Sequence, residues 1–362
     1  MQPYTLINHI INDIIHDALQ TEFVRINFYD NIRFDKTEYE KGSWNDPLDN
    51  IRVNNNPVPV YHMGSWRKGN WNKGAERYGV PVYLEHQWEP VLYNFDKAFW
   101  DEYIAWQKRF KSPYVVLHSE FNSWDIKQLE KQGIKTVYWF AHAYLCSEFY
   151  FKNYQKLKMV TNYTVRPIQC PWICANRLLR QHRTDFLEML DLSRGCYSLL
   201  NPDPNGLTYD GPVPAHSFDD HTNSSAEIDV EKLTPWNTSF LHVVTETVWQ
   251  EKIHFTEKVF KPIVLHQPFV VLQAPGSLAY LRSYGFETFG AWWDESYDTI
   301  EDPTARIQAI ADIVNSIGAK SLEELETMRM EMASVLEHNF RHFYENIPAI
   351  CLDELRKDIA TL

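Results

Sequence analysis

From about residue 113 onward, short apolar runs alternate with stretches whose apolar residues recur at helical spacing. The run PYVVLHSE (113–120) is rich in β-branched residues and predicts a strand. The segment SWDIKQLEKQGI (123–134) predicts a helix with Ser123 as its N-cap, and KTVYWFAHA (135–143) predicts a second strand. A strand, a helix and a strand of these lengths indicate a parallel, right-handed βαβ unit.

The same alternation extends to both sides of this unit. Further predicted strands are FVRINFYD (23–30), PVYLEHQ (81–87), PIQCPWICAN (167–176), GCYSLLN (195–201), SFLHVVTET (239–247) and PFVVLQAP (268–275). Further predicted helices are RLLRQHRTDFLEML (177–190), one around KPIVLHQ (261–267), SLAYLRSYG (277–285), PTARIQAIADIVNSIGA (303–319) and SLEELETMRMEMASVLEHNFRHFYENI (321–347).

Two blocks of alternating strands and helices predict an α/β fold with two Rossmann-like domains facing across a cleft, followed by a helical C-terminal tail. We expect one domain at residues 1–165, a second at 166–340, and a C-terminal helix at 341–362 that could pack back on the first domain. In such sheets ligands bind beyond the carboxyl ends of the strands, at the N-termini of helices.

Composition and charge narrow the classes of partner. The 362 residues carry a net charge of −13, so bulk attraction to nucleic acid or to an anionic membrane is not expected, although a local basic patch remains compatible with that charge. The chain is rich in aromatic residues, with 13 Trp, 20 Tyr and 20 Phe. Core packing explains most of this enrichment, but exposed rings are also the stacking platforms of carbohydrate-binding proteins.

Several features predict a cytoplasmic protein. No apolar run approaches the ~20 residues of a membrane span. The first twenty residues contain acidic side chains and lack the pattern of a secretion signal. The five cysteines form an odd and scattered set, which is typical of reduced thiols.

Three arginines fall at the start of the helix predicted at 177–190. Arg177, Arg180 and Arg183 would lie near the positive end of the helix dipole, which is unfavourable for cations by ~0.3–1 kcal/mol each. A bound diphosphate would compensate this charge. The alternative is a solvated basic face, or pairing with Asp185 and Glu188.

A second charged segment follows the strand predicted at 239–247. That strand delivers Glu246 at its carboxyl end, and a loop leads to Thr256, Glu257 and Lys258. A carboxylate can accept both ribose hydroxyls of a nucleotide, and a lysine can pair with phosphate. Thr256 also fits a helix N-cap, and Glu257 fits a first-turn acid. Pro262 leaves two alternatives open: a helix from Thr256 that bends, or a tight turn before a helix that starts near Lys261.

The strand-ending Glu, the short loop, Thr-Glu-Lys, an apolar helix, Pro-Phe-Val-Val and Gly-Ser together resemble the donor-binding half of glycosyltransferases of the GT-B architecture. The similarity is to α1,3-fucosyltransferase-like enzymes and to glycosyltransferases of phages and bacteria. It covers roughly residues 165 to 340 and implies that Glu257 binds the ribose and Lys258 the phosphate. It also implies that one of Arg177, Arg180 and Arg183 contacts the diphosphate.

This resemblance implies a hexosyl- or pentosyltransferase that moves a sugar from a UDP- or GDP-sugar to an acceptor hydroxyl. The acceptor would be a glycan, or a modified base in phage DNA, which the net charge does not favour. The sequence has Thr-Glu-Thr where fucosyltransferases typically have Phe-Glu-Asn, so the sugar stays open. The alternative function is a nucleotide- or carbohydrate-binding protein without catalysis.

The remaining candidates follow from position along the chain. Gly276 and Ser277 form a strand–turn–helix junction that suits close approach of a donor, or an ordinary turn. An inverting transferase needs a base, and Glu120, directly after PYVVLHS, is the candidate. Candidate acceptor-binding residues are Trp66, Arg67, Glu85, His118 and His142.

No Asp-x-Asp motif occupies a strand end, so we expect no metal and no required cofactor. Arg and Lys side chains would then neutralise the leaving diphosphate.

Overall fold

The computed structural model describes residues 13–15, 17–18, 23–27, 51–53, 56–58, 82–86, 101, 104, 114–152, 166–203, 206–214 and 235–362. The strands are β1 Phe23–Asn27, β2 Ile51–Val53, β3 Asn56–Val58, β4 Val82–His86, β5 Tyr114–His118, β6 Lys135–Tyr138, β7 Cys170–Asn176, β8 Cys196–Leu199, β9 Ser239–Thr245 and β10 Phe269–Leu272. The helices are α1 Trp124–Lys131, α2 Ala141–Leu145, α3 Gln181–Glu188, α4 Glu257–Val264, α5 Ser277–Ser283, α6 Pro303–Gly318, α7 Leu322–Glu331, α8 Ala333–Glu345 and α9 Ile347–Ile359.

Two parallel sheets of four strands carry the fold. The first has the order β1-β4-β5-β6 and the second the order β10-β9-β7-β8, and each neighbouring pair is parallel. A separate antiparallel pair joins β2 to β3. The predicted α/β fold with parallel sheets is therefore confirmed.

The chain divides into two compact units. One unit comprises Met1–His142 with Ala349–Leu362, and the other comprises Ala143–Pro348. The predicted domain limits stay a prediction, since the first limit falls at residue 165, which lies outside the described residues.

The strands of the second sheet are mostly apolar and buried, as is usual for parallel strands that helices cover. Every residue of β9 and of β10 is buried. Pro171 lies inside the predicted strand at 167–176, and β7 tolerates it because its pairing with β8 begins only at Ile173.

The predicted helix at 177–190 is shorter in the structure. Arg180 is extended, with φ −146° and ψ 140°, and α3 begins at Gln181. Leu179 N donates to Asp203 Oδ2 at 3.3 Å, and Leu178 O accepts from Arg183 NH1 at 3.1 Å. These bonds to residues elsewhere in the chain stabilise the extended segment, so Arg177 lies before the helix and not on its first turn.

Helix α4 decides between the two alternatives for Pro262, because it begins directly after Thr256 and not near Lys261. Thr256 is the N-cap, and its side chain accepts from Lys258 N at 3.5 Å. The helix runs from Glu257 to Val264 with Pro262 inside it. Pro262 O accepts from Gln267 N at 2.9 Å, just beyond the end of this helix.

The predicted helix at 321–347 is divided in the structure, where α7 ends at Glu331 and α8 ends at Glu345. Ser321 and Glu324 form a capping box at the start of α7, and α8 follows after Met332. In the last helix, Glu354 Oε2 accepts from Phe140 N at 2.9 Å. This bond joins α9 to the segment that follows β6.

Three strands of the second sheet are connected at their carboxyl ends by buried polar side chains. Thr245 Oγ1 on β9 donates to Asn176 Oδ1 on β7 at 2.6 Å, and Asn176 N donates to Ser198 Oγ on β8 at 2.9 Å. All three residues are buried. These bonds fix the strand ends from which the next segments leave.

Replacing Thr245 by Val keeps the shape of the side chain and removes its hydroxyl. Asn176 Oδ1 then loses a buried partner, so we expect the free energy of unfolding to fall by about 1–3 kcal/mol in urea denaturation. The exposed Thr299 gives the control, since Thr299→Val should change stability by less than about 0.5 kcal/mol. Equal effects of the two substitutions would contradict this account.

Candidate functional site

A buried carboxylate organises the loop that follows β9. Glu246 is fully buried, and Thr256 binds both of its oxygens: Thr256 N donates to Oε1 at 3.1 Å and Thr256 Oγ1 donates to Oε2 at 2.7 Å. Lys258 Nζ lies 3.8 Å from Glu246 Oε2. The strand end and the start of α4 are thereby held together.

Lys258 is the cation of this cluster. Its ammonium donates to Thr256 Oγ1 at 2.9 Å and pairs with Glu257 Oε1 at 3.0 Å. The Lys258 side chain is 21% exposed, compared with 10% for Glu257 and 0% for Glu246. Of the three charged side chains, that of Lys258 is therefore the most exposed.

The pKa values reflect burial and the neighbouring charges. Burial raises the pKa of Glu246 above its ordinary value, although Lys258 acts in the opposite direction. Burial on its own would lower the pKa of Lys258, but the carboxylates of Glu257 and Glu246 outweigh it, and that pKa is raised. Lys258 is consequently charged at neutral pH.

The start of α3 meets the end of β9. Arg183 NH2 donates to Thr245 O at 3.0 Å, and His182 Nε2 bonds to Glu246 O at 3.0 Å. Arg183 is also close enough to Lys258 to act against the rise of its pKa. The structure thus brings together cationic side chains from two separate helix starts.

The three predicted arginines have different environments. Arg183 is buried and donates to the backbone carbonyls of Leu178 and Thr245, so it stabilises the backbone where α3 meets the end of β9. Arg177 and Arg180 are half-buried. Arg180 lies close enough to His182 to contribute to lowering the pKa of the imidazole.

The side chain of Asp298 binds the turn at Gly276 and Ser277. Gly276 has φ +82°, a conformation that favours glycine. Asp298 accepts from Leu278 N at 2.8 Å, from Ala279 N at 3.0 Å and from Ser277 Oγ at 3.1 Å. These donors of the first turn of α5 already hold a carboxylate, so a donor phosphate would have to compete with it.

Three residues that the sequence analysis did not single out hold the loop after Glu246. The ring of Trp249 stacks on His182 at 5.2 Å, and the Arg306 guanidinium lies 5.5 Å from the same ring. Arg306 is buried and donates to Trp249 O at 3.1 Å. His182 lies between Arg180 and Arg183 in the sequence, and this position could have indicated that it belongs to the site. Arg306 is remote in sequence, and no sequence pattern connects it with the site.

The first unit contains the other candidates. Glu120, His118 and His142 are buried, and Ser123 Oγ donates to Glu120 Oε2 at 2.6 Å. Trp66 and Arg67 lie outside the described residues, and Glu85 is described only as part of the backbone of β4.

Within the described ranges, no group of three or more His, Cys, Asp or Glu side chains could hold a metal ion. No helix in that part of the chain is long and apolar enough to cross a membrane.

His182 predicts a specific pH dependence of stability. Burial, with the charges of Arg183 and Arg180, lowers its pKa to about 3, and the imidazole of an unfolded chain titrates near 6.5. Between these values the unfolded chain binds a proton that the folded chain does not. The free energy of unfolding therefore falls as the pH falls through this window, by about 1.4 kcal/mol per pH unit for this group.

The His182→Asn variant lacks this contribution, so its stability should fall less steeply in urea denaturation between about pH 6.5 and pH 5. Parallel curves for the variant and the parent would show that the folded chain protonates His182 as readily as the unfolded one.

No protein-family model matches the chain, and no curated protein matches it. Among solved structures, the chain is similar to a DNA-modifying β-glucosyltransferase whose substrate is uridine diphosphoglucose, with 11% identity over 93% of this chain and 99% of that chain and a TM-score of 0.44. It is also similar to an α1,3-fucosyltransferase, with 8% identity over 91% of this chain and 86% of that chain and a TM-score of 0.34. Both are likenesses to solved structures at low sequence identity.

Proposed function

We propose that the chain is a glycosyltransferase that moves a sugar from a nucleotide-diphosphate donor to an acceptor hydroxyl. The observation that carries this proposal is the charged Lys258 ammonium at the carboxyl end of β9, on a side chain that is 21% exposed, with Arg183 within electrostatic reach. A departing diphosphate needs such fixed positive charge, which acts without the reorganisation that water would require. Arg177 and Arg180, half-buried beside α3, are the further cations of this site.

The two carboxylates have different proposed roles. Both oxygens of Glu246 already accept from Thr256, so Glu246 positions the start of α4. Glu257 is buried, and its Oε1 pairs with Lys258 Nζ at 3.0 Å. A phosphate could take over this lysine and leave the carboxylate for the two ribose hydroxyls, which agrees with the roles that the family resemblance implies.

In the reaction that we propose, the acceptor oxygen bonds to the anomeric carbon as the bond from that carbon to the phosphate oxygen breaks. The nucleoside diphosphate leaves with the electron pair, and Lys258 and the arginines stabilise its negative charge without a metal. In an inverting enzyme Glu120 would take the proton of the acceptor hydroxyl. The acceptor is a glycan, with a modified DNA base as the alternative.

Substitution of Lys258 tests the donor site. The parent protein should hydrolyse at least one UDP- or GDP-sugar slowly without an acceptor, and Lys258→Ala should reduce this rate by at least about a hundredfold, as loss of a charge-stabilising donor does. Lys258→Arg should retain more activity than Lys258→Ala. Released nucleotide is measured by chromatography, and thermal unfolding verifies that each variant is folded.

The exposed Lys357 supplies the control, since Lys357→Ala should hydrolyse the donor as the parent does. Full activity of Lys258→Ala would remove this residue from the mechanism. A parent protein that binds nucleotide-sugars without hydrolysing them would be the non-catalytic binding protein of the alternative function.

The proposed role of Glu257 predicts that the protein distinguishes a ribonucleotide from the matching 2′-deoxynucleotide. The parent should bind UDP or GDP more tightly than the matching 2′-deoxynucleotide, and Glu257→Gln should reduce this preference by about fivefold or more, since a hydrogen bond to a charged group contributes ~1.5–3 kcal/mol. Calorimetric titration of both nucleotides into both proteins measures this coupling. An unchanged preference in the variant would place the ribose elsewhere.

A further inference from the structure

Two exposed aromatic rings lie beside the proposed base Glu120. Phe121 is 42% exposed and Trp124 is 60% exposed, although rings of this size are usually covered. Phe121 lies in the turn between β5 and α1, and Trp124 is the first residue of α1, beyond the carboxyl end of an internal strand of the first sheet. This is the edge of a parallel sheet at which ligands bind.

Hydrogen bonds of the Ser123 side chain stabilise the turn between β5 and α1. Ser123 Oγ donates to Glu120 Oε2 at 2.6 Å and accepts from Ile126 N at 3.4 Å. Asn122, between the two aromatic residues, has φ +53°, in the left-handed region that asparagine adopts more readily than most residues other than glycine.

One of the two rings, that of Phe121, is connected to the polar candidates of the first unit. Phe121 meets Tyr138 edge-on at 6.3 Å, and Tyr138 meets His118 edge-on at 5.7 Å. Glu120 N lies 3.3 Å from His118 Nδ1. A buried carboxylate and a buried imidazole are therefore joined to an exposed aromatic surface by a short series of direct contacts.

We propose that Phe121 and Trp124 form a carbohydrate platform that binds a neutral sugar ring of the acceptor, an inference that rests on the proposed function. The C–H face of a pyranose is apolar and its rim carries hydroxyls, so it matches aromatic faces next to a carboxylate and an imidazole.

Charge favours a sugar over a nucleic acid as the occupant. Helix α1 carries Asp125 and Glu130 against Lys127 and Lys131, so it offers no excess of basic side chains. Single-stranded nucleic acids also stack on aromatic rings, but they require a positively charged groove for their phosphates. The net charge of the chain, −13, acts in the same direction.

The test observes Trp124 directly and needs no donor. The protein is labelled with 5-fluorotryptophan, and the fluorine resonance that disappears in Trp124→Phe is assigned to Trp124. Maltotriose, cellotriose, triacetylchitotriose and a single-stranded DNA oligonucleotide are titrated separately. We expect at least one of the glycans to shift this resonance in a saturable manner.

In Phe121→Ala the affinity for that glycan should fall by about tenfold, which corresponds to the loss of one stacking contact. Met330 is exposed on α7, outside this surface, and Met330→Ala should bind as the parent does. The proposal is overturned if none of the glycans shifts the resonance, if Phe121→Ala binds unchanged, or if only the oligonucleotide shifts it. Donor hydrolysis is measured separately, so a failure of the platform and a failure of the donor site are distinguishable.

Discussion

The burial of the Glu246 carboxylate is the constraint on which the second unit depends. A carboxylate without exposure is costly unless hydrogen bonds and a counter-charge compensate it, and removal of either partner leaves the cost in place. Thr256 supplies two hydrogen bonds and Lys258 supplies the charge. The start of α4 must therefore lie at the end of β9, which explains why Thr256, Glu257 and Lys258 act as one structural element.

Two side chains at the start of α3 also bind the end of β9, through its backbone carbonyls. His182 and Arg183 bond to the carbonyls of Glu246 and Thr245, which are the last that β9 presents before the loop. Because burial and the nearby arginines lower the pKa of His182, the imidazole stays neutral and adds no positive charge. The positive charge near the end of β9 is thus carried by Lys258 and the arginines, of which Arg183 is buried.

The parallel sheets and the motif around Lys258 could be predicted from sequence because their signals are local. Strands β7, β9 and β10 are short, mostly apolar runs, and Thr256 stands directly before a helical pattern. The start of α3 could not be predicted, since Asp203 and Arg183 bind the backbone of Leu179 and Leu178 and the helix begins only after the extended Arg180. Asp298 was also missed, because a capping carboxylate about twenty residues from its helix leaves no periodic signal.

The start of α5 differs from the start of α4 because Asp298 already binds its first amides. At α5 the dipole and the first amides are satisfied by a carboxylate of the chain itself, with Arg282 NH2 3.8 Å from Asp298 Oδ2. At α4 the cation is the Lys258 ammonium, whose partners are a threonine hydroxyl and the carboxylate of Glu257. An incoming diphosphate would have to displace at α5 a carboxylate that accepts three hydrogen bonds, whereas at α4 it would exchange with Glu257 for a lysine that is already charged. In the proposed donor site, side-chain cations would therefore bind the diphosphate in preference to a helix N-terminus.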